Sequence, residues 1–245
     1  MIFIMDSSFD VSQEDFIRQK RFVKDMARYL RVSAAGSRAA VVTYGKNSSL
    51  LFKFDSYGTL SSFDKSVDNA PFIGGRRRMD LALIDAGLLL SEARPDNAKW
   101  VILLTAGRHP TGPDIKSLDE ASKPVLERSD KVYVVAIGKE ANIRQLQDVV
   151  VDPKDIFAVS SSGNLKSQRK LIANAIVEGH SKWILALVNN STMKKTSFTI
   201  FGNALKTTIT QARNISGFFF FVAYDKGESF LIRSGRALLS TKIEF

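Results

Sequence analysis

The chain has 245 residues, no cysteine and a formal net charge of +10, with 44% hydrophobic and 24% charged residues. That length fills one sizeable domain, or one domain of usual size with a small appendage, and the composition is that of a globular protein rather than a disordered one. Disulfides, thiolate metal sites and thiol nucleophiles are excluded, and a membrane span is not expected, because no apolar run approaches the roughly 18 residues a helix needs to cross a bilayer.

The start, MIFIMD, lacks the basic region and small-residue cleavage site of a secretion signal. Either the protein is cytosolic or the sequence begins inside a longer chain. Ile2-Phe3-Ile4 reads as a buried strand that runs directly into Met5-Asp6-Ser7-Ser8-Phe9-Asp10. Two carboxylates and two hydroxyls packed this closely call for a hard cation, a helix N-terminus or an ordinary turn among them. Ser12-Gln13-Glu14-Asp15 resembles a capping box, and Phe16, Val23, Ala27 and Leu30 then share one helical face. Residues 37–44 and 50–54 read as strands around the turn-forming Gly45-Lys46-Asn47-Ser48, and 79–93 as a helix stopped by Pro95. Residues 99–105 and 131–137 are continuous apolar runs of the kind buried on both faces of a parallel sheet. Between them 114–128 reads as a helix that Pro124 should kink or shorten; 156–160 is a short strand and 165–178 a helix.

Strands alternate with helices up to about residue 180, which predicts an α/β fold: a doubly wound, mostly parallel sheet with helices on both faces. Ligands of such sheets sit at the carboxyl ends of the strands, where the Asp6–Asp10 segment and Thr105-Ala106-Gly107 both fall. From Trp183 the pattern changes to short runs (WILALV, TSFTIF, ALKTTIT, FFFFVAY, SFLIR) divided by Asn189-Asn190, Gly202-Asn203 and Asp225-Lys226-Gly227. This predicts a first domain over 1–181 and a small antiparallel β appendage over 182–245, of unknown role. The appendage holds nine Lys/Arg against three Asp/Glu, which is most of the net charge.

The order strand, Asp-x-Ser, capped helix, two strands, Gly-Gly loop, helix and VILLTAG resembles the von Willebrand factor type A domain, most like those of collagen VI and matrilin-type matrix proteins. The pieces FIMDSS, SRAAVVTY, IGGRRRMDLAL, WVILLTAG, KVYVVAIG and IFAVSS keep the family's order over residues 1–180. The resemblance implies a metal ion-dependent adhesion site built from an Asp-x-Ser-x-Ser loop, a Thr after the Gly-Gly loop and an Asp in a Thr-Asp-Gly turn. Asp6 and Ser8 stand in the first two places, Asp10 replaces the last Ser, Arg77 falls at the Thr position, and Ala106 follows Thr105 where the second Asp belongs. One carboxylate is lost and a guanidinium gained. No cofactor is therefore expected, and Asp6, Ser8 and Asp10 are only weak candidates to hold Mg²⁺. An ion pair of Arg77 or Arg78 with Asp6 and Asp10 would satisfy the same oxygens without metal.

Enzyme chemistry is not expected. Neither His109 nor His180 has a nucleophile and carboxylate at motif spacing; His109 reads as a solvated turn residue. Gly74-Gly75 lacks the rest of a dinucleotide fingerprint, and Asp114, Asp119 and Glu120 read as the charged first turns of a helix. The expected function is a secreted, basic, non-catalytic adhesion module that binds another matrix or cell-surface protein through the rim of Asp6, Ser8, Asp10, Arg77, Thr105 and Ala106. It would be part of a longer chain, a cytoplasmic location remaining open. A second expectation is salt-dependent attachment to a glycosaminoglycan, less so to nucleic acid, through Arg76, Arg77, Arg78, Lys194 and Lys195. Asn47, Asn189, Asn190 and Asn214 head glycosylation triplets, which count only if the protein is secreted.

Overall fold

The computed structural model describes residues 1–33, 36–94, 97–190, 198–201, 206–215, 218–225 and 228–233, with side chains described to residue 177. The chain forms two compact units, Met1–Ile172 and Ala173–Phe245, where the sequence reading places the boundary at Ser181.

The first unit is a sheet of six strands: β1 (Ile2–Asp6), β2 (Ala40–Tyr44), β3 (Ser48–Phe52), β4 (Trp100–Thr105), β5 (Lys131–Ile137) and β6 (Ile156–Val159), in the order β3-β2-β1-β4-β5-β6. Only β3 runs antiparallel, joined to β2 by a short turn. The strand order reverses between β1 and β4, so the crevice at their carboxyl ends is where this topology places a ligand. Every residue of β1, β2 and β4 is buried, because helices cover both faces. Ile2, Ile4, Val42, Val101, Leu103 and Val134 face one layer with α3 (Met79–Glu92) and α4 (Leu118–Arg128). The alternate β1 residues Phe3 and Met5 point to the opposite face, where α1 (Gln13–Tyr29) buries Phe16, Phe22, Val23, Met26 and Ala27.

Several boundaries differ from the sequence reading, each for a local reason. Helix α2 (Leu60–Asp68), which the reading passes over, starts at a capping box in which Thr59 and Ser62 bond each other's backbone amides. Its Phe63 meets Phe52 and Tyr57 edge to face. Helix α4 begins at Leu118 rather than 114, since Ser117 accepts from the Glu120 amide while Asp114 lies in a preceding turn. Pro124 sits inside it, and the helix continues to Arg128. A four-residue α5 (Ile143–Leu146) also went unread.

Helix α6 runs from Leu165 to Asn190, so Trp183–Val188 is helical rather than a strand, and Asn189-Asn190 ends a helix instead of making a turn. Six apolar residues carry no decisive period, and the one glycine before them, Gly179, costs a helix only about 1 kcal/mol. Beyond it, β7 (Phe198–Phe201), β8 (Lys206–Ile215), β9 (Phe218–Asp225) and β10 (Glu228–Arg233) form an antiparallel sheet in the order β10-β9-β8-β7. Among the described residues no helix is long and apolar enough to cross a membrane.

Candidate functional site

The site is built on the carboxyl ends of β1 and β4. Asp6, the last residue of β1, is fully buried and pinned through its backbone: its N–H donates to Gln19 Oε1 at 3.0 Å, and its carbonyl accepts from Gln19 Nε2 at 2.8 Å. Ser7 ties the same strand end to its neighbours. Its N–H and Oγ–H both donate to the Tyr44 carbonyl, at 2.7 and 2.9 Å, and its own carbonyl accepts from the Gly74 amide at 2.8 Å. Gly74 and Gly75, at φ +67° and +70°, supply the left-handed backbone that lets the loop between α2 and α3 pass the end of β1 and deliver Arg77.

Arg77 is 4% exposed, and its guanidinium lies on the carboxylate of Asp6, with Nε donating to Oδ2 at 2.8 Å. Nη1 lies 3.1 Å from Asp10 Oδ2 and donates to the Arg108 carbonyl at 3.3 Å. Asp6 Oδ2 also accepts from the Ala106 amide at 2.9 Å, and Oδ1 from the Ser8 amide at 3.0 Å. Thr105 Oγ1 stands 3.5 Å from Oδ2. Of the six rim residues read from the sequence, Ser8, Arg77, Thr105 and Ala106 thus converge on the carboxylate of Asp6, and Asp10 joins them only through Arg77. Of the two arginines considered as its partner, Arg77 makes the pair, whereas Arg78 binds Asp80 at 2.8 Å and Asp114 at 3.3 Å.

Gly107 is part of this arrangement. A β-carbon there would stand 2.7 Å from Arg77 Cζ, so the guanidinium needs a residue without a side chain. Burial pushes the guanidinium toward losing its proton, but the Asp6 charge and hydrogen bond and the Asp10 charge hold it above its ordinary value. Tyr44, whose hydroxyl donates to the Leu104 carbonyl at 3.3 Å, is pushed well up by burial and by the Asp6 charge, so it stays neutral beside the pair. Two polar atoms here have no hydrogen-bond partner among the described residues although both are buried: Ser8 Oγ and Arg77 Nη2. The rim itself carries Phe9, 72% exposed, next to the part-exposed Asp10.

The reading of His109 as a solvated turn residue is corrected, since the ring is 2% exposed. Nε2 lies 2.9 Å from the Lys116 carbonyl, which makes it the protonated nitrogen, and Gln145 clamps the His109 backbone from both sides. Burial pushes the imidazole below its ordinary value, against the Lys116 carbonyl and the Asp80 charge, with Arg78 adding to the depression. The unfolded chain therefore takes up this proton more readily, and stability falls as the pH drops below about 6.5. We expect the stability of the unmodified chain to fall relative to His109→Gln as the pH is lowered from 7 to 5 in denaturant titrations. The buried Met1 amine, pushed down to about 5, titrates in both chains and cancels in the difference. A difference that stays constant with pH would contradict the buried neutral imidazole.

The polyanion candidates fare unevenly. Arg77 and Arg78 are engaged in internal ion pairs, only Arg76 is exposed, and it donates to the Thr111 carbonyl at 2.8 Å. Lys194 and Lys195 lie outside the described residues. Asp119 and Glu120 do occupy the first turn of α4, but Asp114 precedes it and pairs with Arg78. Gln19 and Tyr44 have no place in the site as read from the sequence, whereas Gly107 is placed at this strand end with Thr105 and Ala106, though without a role.

The fold and this strand-end loop set agree with the family comparison, in which the model of the von Willebrand factor type A domain matches residues 1–171. The chain belongs to the von Willebrand factor type A family. Among curated relatives of this von Willebrand A chain, von Willebrand factor A domain-containing protein 2 of Xenopus laevis is 24% identical over 73% of this chain and 23% of its own length. The collagen alpha-4(VI) chain of Mus musculus is 25% identical over 67% of this chain and 7% of its own. The matched part is thus about a quarter of these relatives or less. Among solved structures, proximal thread matrix protein 1 from the mussel byssus is similar at a TM-score of 0.65 and 21% identity, over 71% of this chain and 46% of that one. A further structure of that mussel protein, with a zinc-occupied adhesion motif, has a TM-score of 0.63 at 20% identity. At such identities the likeness shows the fold.

Proposed function

We propose that this von Willebrand A domain is a non-enzymatic adhesion module of the extracellular matrix that binds another protein at the carboxyl-end rim without a metal ion. The observation that carries the reading is the Arg77 guanidinium on Asp6, with Nε 2.8 Å from Oδ2. A divalent cation needs several hard oxygens and tolerates no fixed positive charge among them. Here one carboxylate is Asp6, the other is the part-exposed Asp10, Ala106 offers no side-chain oxygen, and the guanidinium occupies the remaining approach. The residues do not fit Mg²⁺ or Zn²⁺. The relatives named as collagen VI chains and a thread matrix protein support the matrix setting.

The test uses the full chain and a surface coated with solubilised matrix protein, in EDTA and in millimolar Mg²⁺. Binding is expected to be equal in both and at least tenfold weaker in Phe9→Ser/Arg76→Glu, two exposed rim changes that leave the core intact. Binding lost in EDTA, or indifferent to the rim variant, would overturn the reading.

A further inference from the structure

We infer that one face of the four-stranded sheet β7 to β10 binds a linear anionic polysaccharide, a chain of sugars that carries sulfate or carboxylate along its length. The choice of ligand rests on the proposed matrix setting, and nothing in it depends on the rim. The register of the four strands sorts their residues into two sets, because residues paired across neighbouring strands share a face and faces alternate along each strand. One set is apolar, with Phe198, Ile209, Phe219, Phe221, Phe230 and Ile232, and has Asp225 paired with Glu228 at its end. The other holds Lys206, Arg213 and Arg233 together with Phe218, Phe220 and Tyr224. Every basic residue of these strands therefore falls on one face, and both acidic residues fall on the other. The apolar set suits a covered face and the basic set a face in water.

A bulge produces this segregation. Lys206 and Arg213 would lie on opposite faces of a regular strand. In β8, however, Ile209 and Gln211 pair with the consecutive Ala223 and Val222 of β9, so Thr210 is an extra residue without a counterpart. It reverses the alternation, and Lys206 and Thr208 join Gln211 and Arg213 on one face. Phe220 is paired with Arg213 on one side and Arg233 on the other, a basic-aromatic-basic row across three strands. Its outer members stand two strand spacings apart, roughly 10 Å. Guanidinium groups bind sulfate or carboxylate through charge-assisted forks, and the electron-rich face of an aromatic ring suits the C–H side of a sugar. Single-stranded nucleic acid uses the same two elements, and the proposed matrix setting favours the polysaccharide. None of these residues is among the polyanion candidates of the sequence reading, Arg76 to Arg78, Lys194 and Lys195.

The probe is a fluorescein-labelled heparin octasaccharide, titrated against the full chain over a range of NaCl concentrations, with single-stranded polyuridylate for comparison. Arg213→Gln with Arg233→Gln is expected to weaken heparin binding about tenfold and to flatten the slope of log K against log salt by roughly 1.5, the counterion release of two charges. Lys139→Gln with Lys154→Gln, the same change of charge at exposed lysines of the first unit, should leave binding nearly unchanged. The assignment of faces is tested by a gain, which needs no loss of folding to be excluded. Thr208→Lys, on the basic face, should tighten heparin binding about threefold, and Thr207→Lys, its neighbour on the other face, should not. Equal losses in the two double variants, equal gains in the two lysine variants, no gain in Thr208→Lys, or tighter binding of polyuridylate than of heparin at the same salt would overturn the inference. If any of these arises while Phe9→Ser/Arg76→Glu still loses matrix-protein binding, the polysaccharide inference fails and the rim reading stands.

Discussion

Replacing Arg77 with methionine is expected to lower the thermal midpoint by roughly 10 °C, from a loss of about 3–5 kcal/mol at 2–4 °C per kcal/mol. The pair it breaks is 0% and 5% exposed, so neither solvent nor salt screens it, and the variant leaves the Asp6 carboxylate buried without its countercharge. The three donors that remain near Asp6, the Ala106 and Ser8 amides and the Thr105 hydroxyl, hold it in place but carry no charge to offset its own. Arg77→Met combined with Asp6→Asn removes both charges and should recover most of the loss, because an ion pair replaced by neutral groups of similar size is often close to neutral in energy. Thermal unfolding of the unmodified chain and the two variants decides the matter. A single variant as stable as the parent would mean that the guanidinium does not neutralise Asp6.

The second large effect is a gain. Arg77→Thr together with Ala106→Asp clears the guanidinium, restores a hydroxyl and returns a second carboxylate at the end of β4. Beside them stand Asp6, the unpartnered Ser8 hydroxyl and Asp10. That set of hard oxygens suits Mg²⁺ or Mn²⁺. Ligand binding to the folded state stabilises by mass action, about 2.7 kcal/mol at a hundredfold excess over Kd, so the midpoint of the double variant should rise by several degrees as Mn²⁺ is added. A folded double variant that ignores Mn²⁺ would show that the oxygens do not converge as described.

Much of this was legible in the residues, for physical reasons that differ from place to place. β4 and β5 were plain because strands buried on both faces must be apolar throughout, and α1 was plain because its buried face repeats with the helical period. WILALV was not, since six apolar residues suit a strand and a helix alike. At the site, the Asp6, Ser8, Asp10 and Ala106 pattern could be read by position, and the charge conflict with Arg77 followed from it. Gln19 could not be found that way: its amide reaches Asp6 from the middle of α1, thirteen residues on, and nothing local marks a glutamine as a backbone clamp. The burial of His109 was equally hidden, because it depends on a carbonyl from Lys116 and an amide side chain from Gln145 brought together by the fold.

The central claim, that Arg77 holds the place of the cation, is tested most directly by the unmodified chain in the same Mn²⁺ titration, with a crystal grown at the highest concentration and measured for anomalous manganese scattering. The expected result is an unchanged thermal midpoint, no anomalous peak at the ends of β1 and β4, and the Arg77 guanidinium on Asp6. A midpoint that climbs with Mn²⁺, together with an anomalous peak bound by Asp6 and Ser8 and Arg77 turned away, would contradict it.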